Sequence, residues 1–318
     1  MRALVTGGAG FIGSHVVDYL VREGYETFIV DNLSSGTTRN IEHLLKGNKV
    51  GFLTKDLKVL DEELKAAFRD VNTVYHFAAN PEVRISTTEP RVHFEENVVV
   101  TFNVLECCRL EDVEELVFAS SSTVYGDADV FPTPESYPTR PISVYGASKL
   151  MSENLIMTYS EVYGLKALIL RFANIVGPRQ THGVIVDFIK KLRSNPKTLE
   201  ILGDGTQKKS YLHVKDLISG MNKALKHLRS SGRSQEVYNI GNVDWISVRE
   251  IADLVVEEMG LTEVKYTYKP ATPDGRGWVG DVKFMLLDAK KLMNVGWYPT
   301  LTSREALRET VRWMLGKD

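Results

Sequence analysis

Thr6-Gly7-Gly8-Ala9-Gly10-Phe11-Ile12-Gly13 is the stretch that decides how this chain of 318 residues folds. It follows the apolar run Ala3–Val5 and opens an amphipathic stretch, a helix starting near Phe11 and continuing through Ser14–Glu23. Strand, glycine turn and helix in that order form the first unit of a doubly wound sheet. Gly7, Gly10 and Gly13 permit a tight turn, backbone approach to a phosphate, and packing of helix on sheet. The helix N-terminus, with Phe11 and Ile12, then offers amide donors and partial positive charge to a pyrophosphate. A lone glycine triplet also suits an ordinary loop. The strand before it, the helix after it and Asp31 at the end of the next apolar run favour the dinucleotide turn.

Working outward, the apolar runs Thr27–Val30, Val50–Leu53, Thr73–Phe77, Glu115–Ala119 and Ala167–Arg171 read as buried strands. Helical patterns at Asp61–Phe68, His93–Arg109 and Tyr145–Tyr163 lie between most of them. This alternation predicts an α/β fold, a Rossmann-type doubly wound parallel sheet over residues 1–173. From Asn174 on, Gly and Pro clusters at Gly177-Pro178, Gly203-Asp204-Gly205 and Pro270–Gly280 frame shorter elements. They predict a smaller α/β substrate-binding domain, mainly over residues 174–318. The late run Glu236–Ile240 is expected to return to the main sheet. Segments near 211–241 and 284–290 are expected to rejoin the first domain.

Composition excludes some classes. With 43% hydrophobic and 25% charged residues the chain is ordinary globular material, and a net charge of −2 supplies no field for nucleic acid. Cys107 and Cys108 are adjacent, so no disulfide framework is built on them. No signal-peptide pattern and no apolar run of membrane-spanning length is visible, which gives the expectation of a cytoplasmic protein without membrane contact. His15, His76, His182 and His213 lack metal-ligand spacing, so no metal is expected.

Three features carry chemistry. Asp31 places a carboxylate where it accepts hydrogen bonds from a ribose diol and repels a 2′-phosphate, favouring NAD over NADP. Asp56-Leu57, after the third strand, either borders the adenine or merely caps a turn. Tyr145 and Lys149 lie one helical turn apart, so an ammonium stands near a phenol and favours its ionised form. A buried Tyr beside a snorkelling Lys is the bland reading of that spacing; the glycine turn in the same α/β pattern favours acid–base chemistry. Ser120-Ser121-Ser122-Thr123, after the strand Glu115–Ala119, offers hydroxyls to orient a substrate, or to stabilise a turn.

Together these residues resemble the extended short-chain dehydrogenases/reductases of the nucleotide-sugar epimerase/dehydratase type, most of all the UDP-glucose (UDP-galactose) 4-epimerases. The likeness runs through Thr6–Gly13, Asp31-Asn32-Leu33, His76-Phe77-Ala78-Ala79, Ser120–Gly126, Tyr145–Lys149, Arg171–Asn174 and Gly203–Asp216 to Asp288–Trp297. It implies a tightly bound NAD and 4-epimerisation of a UDP-hexose through a 4-keto intermediate. Tyr145 would be the acid/base, Lys149 its activating partner and Ser121 the catalytic hydroxyl. Asn32, Phe77, Ala78, Ala79, Asn97 and Ser120 would border the cofactor. Ser122, Asn174, Lys209 and Arg276 would contact the nucleotide sugar. Lys209 stands where the family usually has Arg, Trp278 precedes Gly280-Asp281 where Arg is usual, and Arg276 lies two residues earlier. A nucleotide-sugar 4,6-dehydratase, an epimerase of another sugar such as an N-acetylated one, and a non-catalytic dinucleotide sensor are the alternatives. The resemblance also implies a homodimer through the helices His93–Arg109 and Tyr145–Tyr163; packing within one subunit explains the same apolar faces.

Overall fold

A computed structural model describes residues 1–317. Strands β1 (Arg2–Thr6), β2 (Glu26–Asp31), β3 (Val50–Thr54), β4 (Thr73–His76), β5 (Glu115–Ser121) and β6 (Lys166–Phe172) join the later strand Gln235–Ile240 in one seven-stranded sheet. Across the sheet the order is Gln235–Ile240, β6, β5, β4, β1, β2, β3, and every neighbouring pair is parallel. The chain winds outward from β1 to β3, then crosses back to lay β4 on the other side of β1. This is the Rossmann-type arrangement, with its crevice where the winding reverses.

These strands are apolar on both faces because both are covered. Leu4, Val74, Leu116 and Ile169 point to one side, toward the helices Glu62–Ala67, Val100–Leu110 and Val144–Tyr163. Ala3, Val5, Val117 and Leu168 point to the other, toward the helices Phe11–Arg22 and Val214–Ser231. Each such valine, leucine or isoleucine side chain contributes about 1.5–3 kcal/mol by leaving water. Cys107 and Cys108 are buried in the first of these layers, and burial pushes the Cys107 thiol up to about 12. The pattern read as one helix over His93–Arg109 is broken in three: a turn of α-helix at Pro90–His93, a π-helical Phe94–Val99, and the α-helix Val100–Leu110.

The remainder builds a second core. Helices Val184–Ser194, Val248–Glu258 and Ser303–Leu315 close around Ile185, Phe188, Leu199, Ile251, Leu254 and Leu307, beside the parallel strands Thr198–Leu202 and Lys265–Lys269. Capping boxes start two of these helices, Ser247 with Glu250 and Thr302 with Glu305. Of the segments expected to rejoin the first domain, Gln235–Ile240 pairs with β6. Tyr211–His213 pairs instead with Asn174–Val176, and Phe284–Met285 with Lys208–Lys209. Ala289 and Leu292 nevertheless pack into the core of the main sheet, and Leu287 bridges to Thr133. Among the described residues no helix is long and apolar enough to cross a membrane.

Candidate active site

Between the carboxyl ends of the sheet strands and the second core lies a cavity of about 480 Å³. Gly7, Gly10, Phe11, Ile12 and Gly13 line one end of it. Gly7 has φ +69° and its N–H donates to the Val30 carbonyl at 2.9 Å. A Cβ at Gly7 would meet Ala78 N at 2.7 Å, and one at Gly13 would meet the Gly7 oxygen at 2.1 Å. The turn thus holds only glycine at these two positions. Gly10 caps the following helix without any side-chain hydrogen bond, which leaves its first amides for an anion.

Asp31 and Asn32 also line the cavity. Asp31 is buried and already at work: Oδ2 accepts from Ala9 N at 2.9 Å and Oδ1 from Leu33 N at 2.8 Å. Burial raises its pKa, against the two amide bonds. A carboxylate has about four acceptor positions, so a ribose diol finds room beside the loop amides. Asp56 lines the cavity, and its Oδ1 accepts from Lys58 N at 2.9 Å as a turn residue does. Leu57, Phe77, Ala78 and Ala79 complete this apolar stretch of wall.

Ser120, Ser121, Ser122, Tyr145 and Lys149 meet in the middle of the cavity wall. Ser143 caps the helix Val144–Tyr163 by accepting from Gly146 N, which points the first turn and Tyr145 at the end of β5. Ser121 ends β5 and accepts from Thr123 N at 3.2 Å and Thr123 Oγ1 at 2.9 Å. Burial pushes the Tyr145 phenol up to about 12, while a hydrogen bond with Ser121 acts the other way. Burial also lowers Lys149 to about 8, opposed by Glu153. The Lys149 ammonium donates to the Ala119 carbonyl at 2.8 Å and stands 5.9 Å from the centre of the Tyr145 ring. In the chain alone, desolvation of the phenolate is the larger influence on Tyr145, while the Lys149 ammonium is held on the Ala119 carbonyl.

Behind this set lies a buried network that spacing did not bring out. Glu153, one turn beyond Lys149, is fully buried and held by Arg171 at 2.7 Å and by the Ser120 hydroxyl. Arg171 also donates to Tyr125 Oη at 2.9 Å, and Tyr125 in turn donates to Asn239 Oδ1 at 2.7 Å. The periodicity carried a signal, since Tyr145, Lys149 and Glu153 share one helix face. Its partner Arg171 was legible only as a charge inside an apolar strand.

His76 ties the glycine turn to the neighbouring helix. Thr101 Oγ1 donates to the Asn97 carbonyl at 2.6 Å, so His76 Nε2 carries a proton and donates to Thr101 at 3.0 Å. Nδ1 then accepts from Thr6 Oγ1 at 2.7 Å, whose oxygen takes Ala78 N at 3.3 Å. Burial pushes the pKa of this neutral imidazole down to about 3. In the unfolded chain it binds a proton near pH 6.5, and in the folded chain only near 3. Its contribution to stability is complete above pH 6.5 and falls by roughly 1.4 kcal/mol per unit between those values. Urea titrations from pH 7 to 4 should show a shallower loss of stability in His76→Gln than in the parent protein.

Two residues expected at the site stand elsewhere. Asn97 is buried outside the cavity lining, where Oδ1 accepts from Asn80 N at 2.8 Å and Nδ2 donates to Ser148 Oγ at 2.8 Å. Both ends of its amide hold the walls in place, and neither reaches the lumen. Arg276 is likewise outside the lining, gripped by Asp127 at 2.7 Å and Asp274 at 2.6 Å. Asn174 and Lys209 do face the cavity; Asn174 Nδ2 donates to the Ser210 carbonyl at 3.1 Å and Lys209 pairs with Asp281 at 2.6 Å. The loop Gln180–Gly183 and Trp278, neither expected, contribute further wall. Among the described residues no group of three or more His, Cys, Asp or Glu side chains could hold a metal ion.

The family model described as GDP-mannose 4,6 dehydratase matches residues 4–310. The chain belongs to the nucleotide-sugar epimerase/dehydratase family. A family member from Methanocaldococcus jannaschii, provisionally named UDP-glucose 4-epimerase, is 37% identical over 316 residues, 98% of this chain and 97% of its own. The crystal structure of a UDP-galactose 4-epimerase matches with TM-score 0.88 at 49% identity, over 100% of this chain and 99% of that one. That of the Thermus thermophilus UDP-glucose 4-epimerase, a complex with NAD, matches with TM-score 0.87 at 36% identity over the whole of both chains.

Proposed function

We propose that the chain is a cytoplasmic, NAD-dependent 4-epimerase of a UDP-hexose, with residues 1–173 and the strand Gln235–Ile240 forming the cofactor half and most of 174–318 the nucleotide-sugar half. NAD fits the residues present: a glycine-only turn, an uncapped helix start and Asp31 follow one another along a single wall. Gly7, Gly10–Gly13 and Asp31 would hold it, with Leu57 and Phe77–Ala79 against its apolar parts. When bound, NAD supplies a hydride acceptor at the sugar C4 and a positive charge that favours the Tyr145 phenolate. Tyr145 takes the proton of the C4 hydroxyl and later returns it. Ser121 hydrogen-bonds the reacting oxygen, and Lys149 keeps a positive charge beside the ring. The 4-keto sugar turns within the cavity between the two half-reactions, so that the hydride taken from C4 would return to the opposite face of the carbonyl, which inverts C4. Exposed Phe94, Phe102, Met151, Val162 and Tyr163 on the helices around 94–110 and 144–163 favour a homodimer.

The observation that carries the reading is the convergence of Ser121, Tyr145 and Lys149 on one cavity wall with two neutral hydroxyls, Ser122 and Thr123, next in line. Elimination of water would need an acid and a base there, and serine and threonine carry protons poorly near neutral pH. Incubation with UDP-glucose should therefore yield UDP-galactose at equilibrium, without a 4-keto-6-deoxy sugar and without net NADH. Accumulation of the deoxy sugar from any nucleotide-glucose would make the protein a dehydratase. Turnover of another nucleotide sugar in place of the two UDP-hexoses would keep the mechanism and move the substrate.

A further inference from the structure

An imidazole pressed against the Tyr145 ring has nothing to bond. His93 is fully enclosed, and neither Nδ1 nor Nε2 has a hydrogen-bond partner among the described residues. Buried polar groups are ordinarily paired, and an orphaned one costs folding free energy. His76 shows the usual outcome, with Thr6 on one ring nitrogen and Thr101 on the other. What His93 does have is Tyr145: the two rings meet at 73°, with 5.6 Å between their centroids. The local backbone puts it there. Pro90 opens the single turn that ends at His93, and the π-helical stretch Phe94–Val99 follows directly. Such wide turns are rare and occur mostly at functional sites.

The same segment grips the Val144–Tyr163 helix one turn further along, through Asn97 Nδ2 on Ser148 Oγ. Tyr145 is thereby held at three points. Its amide donates to Ser86 Oγ at 3.2 Å, its phenol bonds Ser121, and its ring rests on His93. Charged groups reach His93 from each element packed on it. Glu82 and Arg84, from the preceding segment, pair with each other, and Arg91 of its own turn pairs with Glu95. Glu96 comes from the π-helical stretch and Lys149 from the facing helix. Burial lowers the His93 pKa, Glu96 and Glu82 oppose this, and Lys149 adds to it. The ring is therefore neutral at neutral pH. It stands outside the cavity lining, so no ligand touches it.

We propose that His93 is a positioning residue for Tyr145, holding the phenol against Ser121 and keeping water from that side of the ring. The inference rests on the acid–base role given to Tyr145 above. His93→Ala opens the space of the ring, and His93→Ser is a second opening variant should His93→Ala not fold. His93→Phe keeps an aromatic ring and drops the two orphaned nitrogens. With the NAD-loaded proteins and the nucleotide sugar that the parent turns over, kcat should fall on the order of ten- to a hundredfold in the opened variant, the scale of a small misplacement. KM should stay as it is, because His93 lies outside the cavity lining. Burial holds the Tyr145 phenol up, so water let in beside it brings it down. The acid limb of kcat/KM should accordingly move to lower pH, by roughly one unit. His93→Phe should return most of the rate and restore the limb. Parental kcat in the opened variant would overturn the inference, and so would a loss with the limb in place and no rescue by phenylalanine; both leave the functional reading intact. A parent protein that turns over no nucleotide sugar would overturn that reading. The Cζ resonance of isotope-labelled Tyr145, assigned through Tyr145→Phe, then decides on His93 alone, since an unchanged phenol titration in the opened variant would overturn its role.

Discussion

Tyr145→Phe should lower turnover by about 10²–10⁴-fold, the range that a positioned acid–base group contributes, and leave the fold and NAD binding in place. The variant deletes one oxygen. The ring keeps its edge-on contact with His93, at 5.6 Å between centroids, and the Tyr145 amide keeps its bond to Ser86 Oγ at 3.2 Å. What is lost is the phenol hydroxyl beside Ser121 and Lys149, so the C4 hydroxyl has no base next to it. Single-turnover absorbance of reduced cofactor, alongside product analysis, would measure the loss. Retention of more than about a tenth of the parent rate would remove Tyr145 from the acid–base role.

The second large effect is on stability. Glu153→Ala should destabilise the protein by about 3–5 kcal/mol, because it leaves the buried Arg171 guanidinium without its counter-charge. Both side chains of the pair are enclosed, at 8% and 0% exposure, so water cannot replace the lost partner. The same substitution takes away the carboxylate that favours the charged form of Lys149. Denaturant titration of the two proteins checks the first effect; a midpoint shift worth less than about 1 kcal/mol would mean that the guanidinium's existing bonds to Tyr125 Oη and the Glu135 carbonyl suffice without the carboxylate.

Much of the Rossmann half could be read from the residues, for physical reasons. Strands enclosed on both faces must be apolar without alternation, and runs such as Glu115–Ala119 stand out against amphipathic helices. The glycine turn was legible because steric exclusion leaves no other residue at Gly7 or Gly13. The second core was harder: Lys265–Lys269 is a mostly exposed strand of mixed polarity, and its pairing with Thr198–Leu202 joins segments far apart in the chain. The π-helical turn at Phe94–Val99 keeps the spacing of apolar residues that an α-helix has, so periodicity does not reveal it. Asn97 and Arg276 were placed at the site by likeness of position. Their actual partners, Ser148 and Asp127, come from remote segments, and no local pattern encodes such contacts.

The last strand of the main sheet has a consequence for biogenesis. β6 leaves the ribosome long before Gln235–Ile240, because the second core's Val184–Ser194 helix and the Thr198–Leu202 strand are translated in between. At roughly 5–20 residues per second the wait lasts several seconds. Throughout it the outer edge of β6, with the apolar run Ala167–Leu170, presents unpaired backbone groups that another nascent chain can occupy. Fragments ending before Gln235 carry that exposed edge permanently. The half of the molecule that looks self-sufficient in its topology is therefore expected to be the more aggregation-prone when made alone.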